Sequence, residues 1–224
     1  LAQRLGEKNG PEVVLVSTGH APSYFDQITM DRTRSLFIRR LQSADVHGRF
    51  RIYSPVTSLG RTIIVHAKLA IIDDVMLRVG SSNINNRSLG LDSECDLTIE
   101  AAGPGADRAK TAIRRIRTHL IAHWLGCDDA VFTAALTRAG SLGAAIEAMR
   151  TKGLCRLRPI PPVPLKPLTA LIATFHLGDP VGPGDSWRPW RRRASVRREL
   201  KLLAERLRGA SLPAPAPRLS PQTT

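Results

Sequence analysis

Hydrophobic and polar positions follow two different periods along this chain. Residues 12–17 (EVVLVS) form a short β-rich run after Gly10-Pro11, which predicts a strand. Residues 30–44 set Leu36, Phe37, Ile38 and Leu41 between arginines, a helical spacing, with Gly48 as the stop. Residues 49–53 (RFRIY) alternate, so a strand is expected there with Phe50 and Ile52 on one face. The densest β signal is residues 63–72, then Asp73-Asp74, then residues 75–79; it reads as a hairpin on a two-residue turn. Residues 96–100 (DLTIE) predict a further strand. From Ala106 the period lengthens, and Ile113, Ile116, Leu120, Ile121 and Trp124 mark an amphipathic helix ending at Gly126. Residues 130–136 and 142–149 read as two shorter helices.

The character changes near Pro159. Residues 158–167 (RPIPPVPLKP) hold five prolines and read as an extended linker or covering arm. Residues 187–208 carry nine basic residues against Glu199 and Glu205, a net +7, and their second part has the helical stripe Val196, Leu200, Leu203 and Leu207. Residues 212–224 have the composition of a disordered tail. The pattern therefore predicts an α/β domain, a mixed β-sheet flanked by helices over residues 1–158, followed by a Pro-rich, basic helical C-terminal extension over 159–224.

Composition sharpens this picture at one point. Hydrophobic residues are 42% and charged residues 23% of the 224, an ordinary globular balance. The charge is not ordinary: +14, with a pI near 11.0. Such a chain is drawn to polyanions, whether nucleic acid, anionic lipid head groups or phosphate-bearing substrates. Cys95, Cys127 and Cys155 are sparse and odd in number, which argues against a disulfide framework. No apolar run reaches the ~18 residues of a membrane span; the nearest, 168–177, is short and contains His176. The chain opens on Leu1 in mid-pattern, so a piece of a longer protein is expected, and the lack of a leader carries no weight.

One constellation carries chemistry. His66 and Lys68 lie two apart in a β-rich run and project from one face if that run is a strand. With Asp73-Asp74 as a two-residue turn, Ile72 would face Val75, Lys68 would face Val79 and His66 would face Ser81, with Asn83 one same-face step further. His66, Lys68, Ser81 and Asn83 would then converge, and Gly80 would let backbone approach closely. An imidazole can attack phosphorus or donate a proton, while an ammonium and an amide stabilise non-bridging phosphate oxygens. No carboxylate is expected on that face, so neither a divalent metal nor any other cofactor is implied. Asp73 would sit at the far end of the strand and shape the turn.

The spacing H-x-K-x4-D-x6-G-S-x-N, filled by His66, Lys68, Asp73, Gly80, Ser81 and Asn83, resembles the signature of the phospholipase D superfamily. The continuation Asn86-Arg87-Ser88 and Asp92-Ser93-Glu94 is similar to bacterial phospholipases D and cardiolipin synthases, and the flanks over 12–126 resemble the C-terminal half of such enzymes. The resemblance implies two motifs meeting at a pseudo-twofold interface, one histidine becoming phosphohistidine and the other protonating the leaving alcohol. It makes His66 the general acid, Lys68 and Asn83 the phosphate ligands with help from Ser81, and Glu94 a hydrogen-bond partner of an active-site histidine. It also implies a phospholipid substrate, an anionic membrane surface, and a secreted or membrane-associated setting. The chain holds no second H-x-K and no internal repeat, so the other motif must come from a missing N-terminal half or a homodimer partner. Two rivals remain: a homodimeric single-motif endonuclease, in which nucleic acid is the partner, and an inactive basic membrane-binding module.

Other residues have plainer readings. His119, His123 and Cys127 fall at i, i+4 and i+8 on the long helix; with no fourth ligand in view they read as a polar edge beside Trp124. His20 and His47 lie in loops, and His47-Gly48 reads as a turn. Ten aromatic residues are too few for a base-stacking platform.

Overall fold

A computed structural model describes residues 1–19, 32–150 and 156–161. The basic segment 187–208, the apolar run 168–177 with His176, and His20 and Cys155 lie outside the described residues.

The described chain runs α1 (Ala2–Gly6), β1 (Val13–Val16), α2 (Arg32–Ala44), β2 (Phe50–Pro55), β3 (Lys68–Ile72), β4 (Met76–Gly80), α3 (Asn86–Gly90), β5 (Asp96–Glu100), a 3-10 turn at Gly103–Gly105, α4 (Ala106–Leu125), α5 (Asp129–Ala139), α6 (Leu142–Arg150) and β6 (Leu157–Pro159). Mixed α/β class and helical flanks are as the pattern requires. The strands, however, divide over two three-stranded sheets, ordered β1-β2-β6 and β3-β4-β5. In the first, β1 runs parallel to β2 and β6 antiparallel; the second is antiparallel throughout.

The first sheet holds the core. Strand β2 is buried on both faces because its alternation serves two layers. Phe50 and Ile52 share one face and pack with Leu5 of α1, Ile38 and Leu41 of α2, and Ile160. Tyr53, on the opposite face, packs with Ile121, Ala122 and Leu125 of α4, Phe132 of α5, Ile146 of α6 and Leu157. Strand β1 divides in the same way, Val13 and Leu15 joining the first cluster and Val14 and Val16 the second.

Polar groups fix the ends of these elements. Glu12, just before β1, accepts from the backbone N–H groups of Leu142 (2.9 Å) and Gly143 (2.8 Å), so a carboxylate caps α6 and ties it to the sheet. Helix α4 stops at Gly126, whose φ of 76° is left-handed; Cys127 N–H bonds the Ala122 carbonyl and Gly126 N–H the His123 carbonyl, a Schellman ending. The Arg49 guanidinium gathers the carbonyls of Leu5, Glu7, Lys8 and Gly10 where α1 ends.

The second sheet has less cover. Helix α4 lies against β4 and β5, with Leu77 and Ile113 both buried. On the same face Leu69, Val79 and Leu97 align across the three strands and stay open, at 39%, 45% and 68% exposure.

The long apolar run at 63–72 is not one strand. Val65 N–H donates to Thr18 Oγ1 (2.8 Å) and Ile63 N–H to the Pro55 carbonyl (3.0 Å), so this part is attached to the first sheet, and the ladder to β4 begins only at Lys68. At the other boundary, Arg158 and Pro159, where an extended arm was expected to begin, lie in β6 and pair with Ser54 and Tyr53.

Candidate active site

The turn between β3 and β4 sets the geometry of everything that follows. Asp73 and Asp74 adopt φ of 51° and 56°, the left-handed region that aspartate tolerates better than most residues. The Ile72 carbonyl accepts from Val75 N–H (2.9 Å), but Val75 does not join the ladder; its carbonyl accepts from Ala101 N–H (2.8 Å) instead. Pairing therefore starts at Ile72 with Met76 and reaches Lys68 with Gly80. This corrects the expected register, in which Ile72 would face Val75 and Lys68 would face Val79. The one-residue slip moves each β4 side chain to the other face relative to β3.

Lys68 therefore does not share a face with Ser81. Lys68, Gly80 and Asp96 form one row across the sheet, and Leu69, Val79 and Leu97 form the row on the opposite face. Ser81, one step beyond Gly80, falls on the latter side. His66 precedes the ladder, is exposed, and follows Val65, which Thr18 holds. Its carbonyl accepts from Lys68 Nζ (2.7 Å). Asn83 is exposed beyond the end of β4. Among the described residues no hydrogen bond engages the His66 ring or the Asn83 amide. His66, Lys68, Ser81 and Asn83 thus gather at one end of the hairpin, while exposed Asp73 lies at the other.

The expectation that no carboxylate shares the Lys68 face is also corrected. Asp96 stands in that row, directly across from Gly80. A Cβ on Gly80 would come 1.8 Å from Asp96 Oδ1 and 2.6 Å from the Cys95 carbonyl oxygen, so glycine is required for β5 to approach. The Asp96 carboxylate accepts from Ser82 Oγ and from Arg78 Nη2 (2.6 Å), and these bonds hold its pKa below the usual aspartate value, the Ser82 bond foremost. Glu94 accepts from Ser81 Oγ, which in turn accepts from Cys95 N–H (3.0 Å).

Downstream, Asn85 caps α3 by accepting from Ser88 N–H (2.9 Å). Arg87 makes a two-pronged pair with Asp92 (2.9 and 3.0 Å), which lowers the Asp92 pKa. At the turn, Asp74 rather than Asp73 is anchored. Its carboxylate takes Arg117 Nε (2.7 Å) and Nη2 (2.8 Å) and Arg114 Nε (3.2 Å), and the Arg117 bond leads in lowering its pKa.

Nothing in the sequence pattern marks Thr18, whose link to Val65 spans 47 residues. Asp96 and Asp74 were visible as residues but not as participants. A three-residue loop would have set Lys68 opposite Gly80, but the pairing of Asp96 with Gly80 belongs to the separate β4–β5 ladder, which the sequence pattern does not fix. On α4, His119 pairs with Asp129 (3.2 Å), and the His123 ring meets Trp124 edge-on at 5.1 Å. A shallow depression of about 880 Å³ on α4 is lined by Arg108, Thr111, Arg115, His119 and Asp129 among others; no motif residue borders it.

Fold and motif together describe an α/β phosphodiesterase-type domain. Residues 5–124 match the family described as cardiolipin synthase, PLD-like domain, and at more than half of the 224 residues this places the chain in that family, within the phospholipase D superfamily. The match runs from α1 through most of α4 and takes in β1 to β5. No match is found among curated proteins or among solved structures.

Proposed function

We propose that this chain supplies one motif of a two-motif phospholipase D-type enzyme that hydrolyses phospholipids or transfers their phosphatidyl group to an alcohol. The observation that carries the reading is the filled motif, with its ends gathered at an open edge of the second sheet in a chain that holds one copy. The exposed row Leu69, Val79 and Leu97 beside that edge fits a half-site awaiting its complement, from an N-terminal half or a second copy.

The chemistry divides between the two halves. An imidazole of the second motif forms an N–P bond while the bond from phosphorus to the leaving alkoxide breaks. His66, entering as imidazolium, gives its proton to that oxygen. Water or an acceptor alcohol then attacks phosphorus, His66 takes its proton, and the N–P bond breaks. Lys68 and Asn83 hold the non-bridging oxygens as charge develops, with help from Ser81 in the loop beyond β4. Glu94, bound by Ser81, presents its remaining acceptor capacity to a histidine of the other half and fixes its tautomer. Gly80 and Asp73 shape the hairpin. The net +14 draws the protein to an anionic bilayer.

Turnover on phospholipid vesicles and on DNA, measured across a range of chain concentrations, tests this. The isolated monomer should be nearly inactive, with lipid turnover appearing on addition of the complementary half or on dimerisation. Robust turnover by a dilute monomer would overturn the two-motif requirement. DNA cleavage without lipid turnover would favour the homodimeric nuclease, a reading that the net charge alone also supports.

A further inference from the structure

The start of β5 grips the turn that carries Asn83. Asp96 Oδ2 accepts from Ser82 Oγ and from Arg78 Nη2 (2.6 Å), and Oδ1 accepts from Ser82 N–H (3.3 Å). Both the backbone and the side chain of Ser82 are therefore held by one carboxylate. Two residues before β5 begins, Glu94 accepts from the Ser81 hydroxyl. Ser81 and Ser82 are thus tied to Glu94 in the loop leading into β5 and to Asp96 at its first position, and the next residue is Asn83. The contact needs the missing side chain at Gly80, because any Cβ there would collide with Asp96 Oδ1 at 1.8 Å. The motif glycine and Asp96 are thus two sides of one contact.

We propose that Asp96 is a positioning residue of the site: by clamping Ser82 it orients the Asn83 amide toward a non-bridging phosphate oxygen. The proposal rests on the phosphodiesterase reading above. Asn83 is exposed, and no hydrogen bond among the described residues restrains its amide. With Ser82 fixed at both N–H and Oγ, few backbone torsions separate the clamp from Asn83, and its side chain starts near the geometry that phosphate requires. Arg78, on the same face, neutralises Asp96 and keeps the clamp from repelling the incoming anion. A purely structural role would instead show in stability and leave Asn83 unmoved.

The test uses the full chain labelled with 15N, inorganic phosphate as probe, and the variants Asp96→Ala, Asp96→Asn and Ser82→Ala. In the absence of ligand, Asp96→Ala and Ser82→Ala should each displace the Asn83 side-chain amide signals, and phosphate affinity should fall by about tenfold in both. Asp96→Asn retains an oxygen acceptor for Ser82 and should stay within about threefold of wild type. Ser82→Ala leaves the Arg78–Asp96 pair in place, so it decides the matter if Asp96→Ala does not fold. Unmoved Asn83 signals together with phosphate affinity within about twofold of wild type would overturn the proposal. The ligand-free displacement is read without reference to activity. If wild type shows no phosphate-induced change at His66 or Asn83 either alone or with the complementary half or as a dimer, the phosphate-binding role proposed for these residues fails, while the clamp still stands or falls on the ligand-free spectra.

Discussion

Asp74→Asn should destabilise the protein more than Asp73→Asn, although Asp73 is the motif residue. Both aspartates occupy left-handed backbone, and asparagine tolerates that region at least as well, so the substitution removes charge without adding backbone strain. Asp73 is exposed, and its replacement should fall within about 0.5 kcal/mol of wild type. Asp74 differs. Its side chain is 15% exposed and receives two bonds from Arg117, itself 19% exposed, so solvent screening is limited. Arg114 is 65% exposed and adds little. Losing a charged hydrogen-bonded pair at the first site should cost about 1.5–3 kcal/mol, or about 3–12 °C in Tm for a protein of this size. The sign of the pH dependence follows from the lowered pKa of Asp74. Its contribution is complete above the unfolded carboxyl value near 4 and is lost as pH falls through the lower folded value. The gap between wild type and Asp74→Asn should therefore be full at neutral pH and close in acid. Urea denaturation of both variants at neutral and acid pH reads the effect. An Asp73→Asn loss equal to or larger than that of Asp74→Asn would refute the assignment of the anchor, and a gap that widens in acid would refute the ion pair.

Gly80→Ala should cost at least about 2 kcal/mol, because the new Cβ meets both a carboxylate and a backbone carbonyl; thermal unfolding checks it, and a neutral result would contradict the close approach of β5. Tyr53→Phe leaves Glu147, which accepts from the Tyr53 hydroxyl, with one partner fewer and should cost about 1–2 kcal/mol by chemical denaturation. In the completed enzyme His66→Ala should lower kcat by at least about 10²-fold, as expected for a proton donor, while Asp73→Asn changes kcat little; equal effects in a steady-state assay would reject the general-acid role. Removing residues 187–224 should weaken binding to anionic vesicles by about 1 kcal/mol per basic residue that reaches the surface, and only at low salt; binding indifferent to truncation would deny the segment a targeting role.

Features encoded in local spacing were readable, and those set by distant partners were not. The strand 96–100 and the helix ending at Gly126 appear where the pattern put them, because period and stop lie within the same few residues. Strand β6 was hidden in a Pro-rich stretch, since Leu157–Pro159 becomes a strand only by pairing with β2 about a hundred residues earlier. The division into two sheets was equally hidden: 63–67 has the same apolar character as 68–72, and what separates them is Thr18 and Pro55. In the site, the identity and spacing of His66, Lys68, Gly80 and Asn83 were legible. Their facing was not, because a single residue, Val75, bonds outside the hairpin and shifts the register.

Helix α4 serves two masters, and they differ in cohesion. Its C-terminal end, with Ile121, Ala122 and Leu125, lies in the main core, while the helix also lies against β4 and β5 and binds Asp74 through Arg114 and Arg117. Among the described residues neither buried cluster includes a residue of the motif sheet, so that sheet should open without unfolding the first one, whereas unfolding of the first would remove the support of α4. Hydrogen exchange should reveal this hierarchy: amides of β3 and β5 exchanging through a sub-global opening, and those of β2 only with global unfolding. If the proposed two-motif assembly holds, docking of a complementary half should slow exchange in this sheet before altering that of the core.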